Sequence, residues 1–184
     1  MRVSRWLEWL AITVAALAIA VGVIAFLSGG LLAGRDQPGV SGDGSPVGVR
    51  YRDQGHALLA PGVLRPMYDS EPPTSGAHVP VAVERDYAQL SDDQLLQALQ
   101  VGDVVIMYGT SKPPAGLPAL AASIAAPFTP ALAAAGQAVI LARRADLNGL
   151  VGLAWTRAIH VSSVRDPALR SFTQFWLGRG ARGR

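Results

Sequence analysis

The sequence predicts an α+β protein, in which a single N-terminal transmembrane helix is followed by a small mixed-sheet α/β sandwich domain. Three observations support this prediction. An almost wholly apolar run lies near the N-terminus, short strand-like stretches follow it, and helix-like stretches bounded by capping residues lie between them. Half of the 184 residues are hydrophobic, so the chain has room for one ordinary domain and an appendage.

The apolar run spans residues 6–27 and is long enough for a helix that crosses the lipid bilayer, which takes about 20 residues. Arg2 and Arg5 precede it, which predicts a cytoplasmic N-terminus and an extracytoplasmic domain. A cleaved signal peptide is the alternative, but its apolar core is shorter, about 7 to 15 residues, and small residues mark its cleavage site. We therefore expect a single-pass cell-membrane anchor over residues 1–33.

The rest of the chain divides by composition. Residues 34–46 are rich in Gly, Pro, Ser and Asp and predict a flexible linker. A globular domain is expected over residues 47–178, and residues 179–184 form a basic tail. The absence of cysteine excludes disulfides and thiolate chemistry. The net charge of +3 is mild, and no phosphate loop or nucleic-acid-binding pattern is present, so no nucleic-acid partner is expected.

The first elements of the domain are two short strands and a helix. Residues 47–51 alternate and predict a strand, whereas Pro66 within residues 63–68 predicts a broken edge strand. Ser91 is a good N-cap for a helix with acidic residues in its first turn. Gly102 predicts the end of that helix.

The later elements complete a mixed sheet. Residues 103–109 predict a buried strand, and the Ala/Leu-rich stretch 117–135 predicts two short helices because prolines interrupt it. Residues 137–143 and 150–157 predict two strands of a hairpin, since turn residues separate them. Asp166 followed by Pro167 predicts the start of a final helix.

A Pro-rich loop, YDSEPPTSGAHVP, holds most of the polar chemistry of the domain. Its adjacent prolines exclude a helix and stiffen the chain, and its glycine permits a turn with positive φ. We expect it to act as a binding loop. The residues assigned to this loop are Tyr68, Pro72, Pro73, Thr74, Ser75 and Gly76.

Three interpretations of the loop remain open. His56 and His78 could ligate a transition metal, with nearby carboxylates supplying the remaining ligands that such sites need. Ser75 and His78 could form a nucleophile and base, although no Gly-x-Ser-x-Gly motif is present. The third interpretation is structural, with hydroxyls and imidazole satisfying backbone groups. Outside the loop, we expect His160 to be a structural or surface residue.

The sequence resembles the bacterial domain of unknown function 3105 family. The resemblance rests on His56, Pro61-Gly62, Tyr68 and PPTSGAHVP, on DVVIMY, and on the closing LVGLAWTRAIHVSSVRDPALRSFTQFWLGR. It implies one N-terminal membrane segment followed by an extracytoplasmic domain, over roughly residues 47–179.

The resemblance also implies a helical motif that this chain lacks. Family members carry Val-His-x-Leu-Glu-His-Gly before the central strand, and two histidines four residues apart share one helix face. Here Gln97, Gln100 and Val101 stand where the first histidine, the glutamate and the second histidine are expected. Glutamine is a poor ligand for such metals and valine is none. We therefore expect a non-enzymatic binding or scaffold module at the cell envelope, with an envelope protein as its partner and no cofactor. The alternative is a metal-binding protein with a reduced site at His56 and His78.

Overall fold

A computed structural model describes residues 48–181 of the chain, in which five strands form one mixed sheet. The strands are β1 (Val49–Arg50), β2 (Val104–Tyr108), β3 (Val139–Arg143), β4 (Leu150–Ala154) and β5 (Arg157–Val161). The helices are α1 (Asp92–Val101), α2 (Leu117–Ala122), α3 (Pro130–Ala134) and α4 (Pro167–Trp176). The sheet order is β1-β5-β4-β2-β3; β2 and β3 are parallel, and the other neighbours are antiparallel.

Helices cover both faces of the sheet, so the central strands are apolar along their whole length. Every residue of β2 and of β4 is buried. One face packs on α1 and α3, and its core contains Leu95, Leu96 and Leu99. The other face packs on α2 and α4, and its core contains Leu169 and Phe172. The predicted α+β class is thereby confirmed, because a strand buried on both faces needs a helix layer on each side.

The predicted helix boundaries agree with the structure. Ser91 and Gln94 form a capping box at the start of α1: the Gln94 N–H donates to Ser91 Oγ at 3.2 Å, and the Ser91 N–H donates to Gln94 Oε1 at 3.2 Å. Gly102 ends α1 with a φ of 118°. Asp166 caps α4 by accepting a hydrogen bond from the Ala168 N–H at 2.9 Å.

The predicted hairpin between residues 137–143 and 150–157 is wrong. β3 pairs in parallel with β2 instead, and β4 lies between β2 and β5. The stretch 150–157 is also not one strand, because β4 ends at Ala154 and the chain turns at Trp155 and Thr156 into β5. The hairpin is therefore β4–β5, and His160 lies within β5 as an exposed residue.

The second predicted strand, over residues 63–68, is absent, and β1 is only two residues long. A long irregular segment connects β1 to α1, with one isolated parallel bridge between Leu58 and His78. Within residues 48–181, no helix has the length and apolar character that a membrane crossing requires. The predicted anchor and linker fall outside the described residues, as do the last three residues of the basic tail.

Candidate functional site

The Pro-rich loop lies against the hairpin turn between β4 and β5 and is fixed through its backbone. The Thr156 N–H donates to the Thr74 carbonyl at 2.9 Å, and the Gly76 N–H donates to the Gly55 carbonyl at 2.9 Å. The His78 N–H in turn donates to the Ala57 carbonyl at 3.1 Å. The peptide bond between Glu71 and Pro72 is cis. The loop is therefore held on one side by the sheet and on the other by residues 55–57.

The hydroxyl groups of the loop are all used inside the protein. Ser75, which is fully buried, donates from Oγ to the Arg52 carbonyl at 3.0 Å and accepts from the Gln54 N–H at 3.1 Å. Thr74 is also fully buried, and its Oγ1 lies 3.3 Å from Ser70 Oγ. Tyr68 donates from its hydroxyl to the Ala77 carbonyl at 2.9 Å. These bonds satisfy buried polar groups and leave Ser75 without the exposure that a nucleophile needs.

Glycine is required at position 76. Its φ is 132°, in the region that L-residues rarely adopt, and a Cβ atom there would lie 2.7 Å from Cε1 of the Tyr68 ring. Pro72 and Pro73 beside it are buried. The side chains of the assigned loop thus point inward, and the binding role of Tyr68, Pro72, Pro73, Thr74, Ser75 and Gly76 stays a prediction.

The His78 side chain is fully buried, and its ring has one hydrogen-bond partner. Its Nδ1 lies 2.9 Å from the Gly76 carbonyl, which can only accept, so Nδ1 carries the proton. In the neutral ring this leaves Nε2 as an acceptor, and Nε2 is buried without a hydrogen-bond partner. The half-buried His56 lies on the neighbouring segment and packs edge-on against Trp155, with ring centroids 6.3 Å apart. Residues 48–181 contain no group of three or more His, Asp or Glu residues placed to hold a metal ion, and a site at His56 and His78 stays a prediction.

A buried carboxylate ties the residue after His78 to the start of α1. Asp93 accepts a hydrogen bond from the Val79 N–H at 3.1 Å and one from Arg65 Nε at 3.0 Å, and its second oxygen also pairs with Arg65. The Arg65 guanidinium holds the pKa of the Asp93 carboxyl below its ordinary value, and the Val79 N–H acts in the same direction against the effect of burial. Asp93 therefore connects the start of α1 to two other segments, one at Arg65 and one at Val79.

Next to the loop, residues 58–67 form an exposed segment, which we call the apolar segment. Leu64 and Met67 are 95% and 91% exposed, and Leu58 and Val63 are also exposed. The Val63 N–H donates to the Ala60 carbonyl at 3.2 Å across Pro61 and Gly62, the residue order of a type II turn. Sequence reasoning predicted a strand in part of this segment and missed its exposure, although a run of Leu, Val and Met around two prolines is the signal that could have revealed it.

Just after the C-terminal end of α1, a second feature was missed. Asp103 is 1% exposed, and its Oδ1 accepts a hydrogen bond from the Ala138 N–H at 2.8 Å, whereas its Oδ2 has no partner. Burial raises the pKa of the Asp103 carboxyl to about 7, and the Ala138 N–H offsets part of this rise. The signal in the sequence was a lone acid directly before a wholly apolar strand.

Asp103 lines a cleft of about 200 Å³ between α1, α3 and residues 80–83, which we call the α1–α3 cleft. Gln97 and Val101, two of the positions at which the family resemblance implied histidines or a glutamate, also line it. Gln100, the third, is not among the residues that line it. The Oε1 atom of Gln97 is buried without a hydrogen-bond partner, like Oδ2 of Asp103.

The fold and these two features define a class: a compact α+β domain that combines a rigid, internally bonded Pro-rich loop with an acidic cleft beside its first helix. The chain belongs to the family described as protein of unknown function (DUF3105), whose model matches residues 65–182, more than half of its length. His56 and Pro61-Gly62, used above for the resemblance, lie before the matched region. Comparison with curated proteins and with solved structures found no match.

Proposed function

We propose that this protein is a single-pass membrane protein whose extracytoplasmic domain is a non-enzymatic binding module for another envelope protein. The membrane part is supported by the apolar run over residues 6–27 and by Arg2 and Arg5 before it, which favour a cytoplasmic N-terminus. The mass of the mature protein tests this part: loss of the first thirty or so residues would show a cleaved signal peptide instead.

The exposure of the apolar segment is the observation that carries the binding proposal. Leu64 and Met67 are almost completely exposed, and two further large apolar side chains, Leu58 and Val63, are exposed within the same ten-residue stretch. Single exposed apolar residues are ordinary, but several within one short segment favour an interaction surface. The methionine side chain is flexible and adapts well to a partner surface.

The apolar segment is also held in place before any partner binds. The Leu59 N–H donates to the His78 carbonyl at 2.8 Å, and Gln54 Nε2 donates to the Met67 carbonyl at 3.3 Å. Both anchors belong to the hydrogen-bond system of the Pro-rich loop. Binding to a fixed segment loses less conformational entropy than binding to a mobile one, so the buried loop supports the surface rather than forming it.

The charges around the apolar segment favour a protein over a lipid surface. Acidic lipids attract unpaired basic residues, but Arg65 is the only charge within the segment and it pairs with Asp93. Among the flanking residues, Asp53 and Asp69 outnumber Arg52, and Glu71 pairs with Arg144. An envelope protein with an apolar groove is therefore the expected occupant.

The test is photo-crosslinking in cells that make the full chain. A photoreactive phenylalanine analogue at position 64 or 67 is expected to give the same protein adduct, whereas the analogue at Val49, 57% exposed on β1, gives none. With the analogue at position 64, Met67→Ser should reduce the adduct strongly. Purified partner should then bind the wild-type chain and lose at least tenfold in affinity for Leu64→Ser/Met67→Ser.

Two results would contradict this proposal. Adducts formed only with lipid would show that the apolar segment lies on the bilayer, and equal labelling from positions 64 and 49 would show no specific surface. Leu64→Ser and Met67→Ser should change the free energy of unfolding by less than about 0.5 kcal/mol, so that a loss of binding is not a loss of fold.

The second candidate function is binding of a transition-metal ion at His56 and His78, favoured by one observation. The Nε2 atom of His78 is buried with its lone pair unused, which is the state of a ligand atom. Elemental analysis of the purified full chain tests this against His56→Ala/His78→Ala. About one ion per wild-type chain and none in the variant would support it; substoichiometric metal in both would end it.

A further inference from the structure

Two of the residues that line the α1–α3 cleft each have a buried side-chain oxygen that lacks a hydrogen-bond partner, and both oxygens are acceptors when Asp103 is ionised. Oδ2 of Asp103 and Oε1 of Gln97 accept no hydrogen bond within the protein. Both residues line the cleft, and Asp103 is fixed in position because its other oxygen is bonded to the Ala138 N–H. Since a buried acceptor without a donor destabilises the folded protein, the cleft favours a ligand that brings N–H or O–H donors.

The rest of the lining sets the other properties of the ligand. The walls next to these acceptors are apolar, with Val83, Val101 and Ala133 among them. Of the described residues that line the cleft, Asp103 is the only ionisable one, so no basic side chain neutralises it there. A complementary ligand therefore has a positive end that donates and an apolar body.

The size of the cleft limits the length of that body. A volume of about 200 Å³ equals the space of about seven water molecules in the liquid. A chain of about five carbon atoms with a terminal nitrogen fits this space, whereas a nucleotide or a large cofactor does not.

We propose that the α1–α3 cleft binds a short alkylammonium group, whose nitrogen donates to Asp103 and Gln97 and whose carbon chain packs against the apolar wall. Two sources have this chemistry, a free small amine and the side chain of a lysine in another protein. The site is separate from the apolar segment proposed above for partner binding, so the two proposals fail independently.

The experiment is an NMR titration of the full chain with labelled alanine methyl groups. The methyl groups of Ala98, Ala133 and Ala134 line the cleft, whereas Ala131 on the same helix does not. n-Pentylammonium is expected to shift the first three and not the fourth. The uncharged n-pentanol and the anion pentanoate, which match it in length, should bind at least tenfold more weakly. Nα-acetyl-lysine methylamide distinguishes the sources: a lysine site binds it as well as the free amine, and a small-amine site prefers n-pentylammonium.

Two variants separate binding from folding. Asp103→Asn keeps the acceptor for the Ala138 N–H but loses the charge, and should reduce n-pentylammonium affinity at least tenfold. Ala134→Leu fills the cleft from an exposed position and should abolish binding, whereas its matched control Ala131→Leu, exposed on the same helix, should not. Because the alanine pair leaves Asp103 intact, the proposal stays testable even if Asp103→Asn fails to fold.

The affinity should also depend on pH. The pKa of Asp103 is about 7, and no charged side chain contributes to its rise, which comes from burial and is offset in part by the Ala138 N–H. The fraction of ionised Asp103 rises about tenfold from pH 6 to pH 8 while the ammonium stays charged, so the apparent affinity should rise about tenfold. Absence of binding at pH 8, equal binding of n-pentanol, or unchanged affinity in Asp103→Asn at pH 8 would each overturn the proposal.

Discussion

Replacing Asp103 with asparagine removes a charge from the interior without changing the shape of the side chain. Asp103 is almost completely buried, and burial raises the pKa of its carboxyl from 3.8 to about 7. Between these two pH values the unfolded chain has released the proton while the folded protein still holds it. The contribution of Asp103 to stability is therefore most favourable below about pH 4, falls as the pH rises, and reaches its lower limit above pH 7.

The size of this effect follows from the pKa. A rise from 3.8 to about 7 corresponds to about 4 kcal/mol at 25 °C, since each tenfold change in proton affinity is about 1.4 kcal/mol. The asparagine variant has no such dependence, because its amide does not ionise. Asp86 and Asp92, whose pKa values burial also raises, are present in both proteins and cancel in the difference.

The assay is equilibrium urea unfolding of the full chain and of Asp103→Asn at pH 4 and pH 8, followed by circular dichroism. The stability difference between variant and wild type should move in favour of the variant by up to about 4 kcal/mol between the two pH values. Any cost of the new amide group is present at both and does not enter this comparison. A shift below about 1 kcal/mol would refute the reasoning, because it would mean that the folded protein ionises Asp103 as easily as the unfolded chain does.

Three further predictions concern the loop, α1 and the sheet. Gly76→Ala should destabilise the protein by about 2 kcal/mol or more, because the added Cβ would meet the Tyr68 ring. Its control is Gly55→Ala, at a φ of 79° with open space around it, which should cost about 1 kcal/mol. Equal losses of stability in urea unfolding would refute the role of the ring contact. Asp93→Asn should lower the free energy of unfolding by about 1 to 3 kcal/mol at pH 7 and by little at low pH. The lowered pKa of Asp93 stabilises the folded state above about pH 4, and this contribution is lost as the pH falls. Unfolding measured from pH 2 to pH 7 checks this, and an equal loss at all pH values would contradict it. Arg157→Met should leave stability unchanged or raise it by about 1 kcal/mol, because Nε and Nη1 of the buried Arg157 guanidinium have no hydrogen-bond partner. Burial and, to a smaller extent, Arg50 also lower the pKa of Arg157. A thermal unfolding midpoint several degrees below that of the wild type would show that the contact of Arg157 with Trp176 outweighs the cost of desolvation.

Local signals predicted the helices well and the pairing of strands poorly. Ser91, Gly102 and Asp166 act through bonds within a few residues, so their capping roles could be predicted from the sequence. The strand that pairs with β3 is set by contacts between segments far apart in sequence. Two successive strands separated by a turn have the sequence pattern of a hairpin even when each of them pairs with another strand. The turn at Trp155 and Thr156 has neither glycine nor asparagine, and Thr156 adopts a φ of 60°, so turn chemistry gave no signal for the real hairpin.

The candidate site could likewise be predicted from the sequence only in part. The Pro-rich loop could be identified as rigid, because the prolines and Gly76 restrict the backbone by themselves. The inward direction of its hydroxyls could not, because their partners Arg52 and Gln54 come from a different stretch of chain. The α1–α3 cleft was missed for the same reason, because α1 and α3, which come from different stretches of the chain, form it together.

By itself the sequence determined the α+β class, the cap residues of the main helices, the family and the rigidity of the Pro-rich loop, since each of these depends on residue types close together in the chain. Only the tertiary structure decided that β2 lies between β3 and β4, that apolar side chains of residues 58–67 are exposed, and that Asp103 lines a cleft. The physical reason is that burial and pairing depend on the contacts among segments far apart in sequence. An aspartate, a serine or a leucine is written with the same letter in the sequence whether its side chain faces water, a cleft or the core.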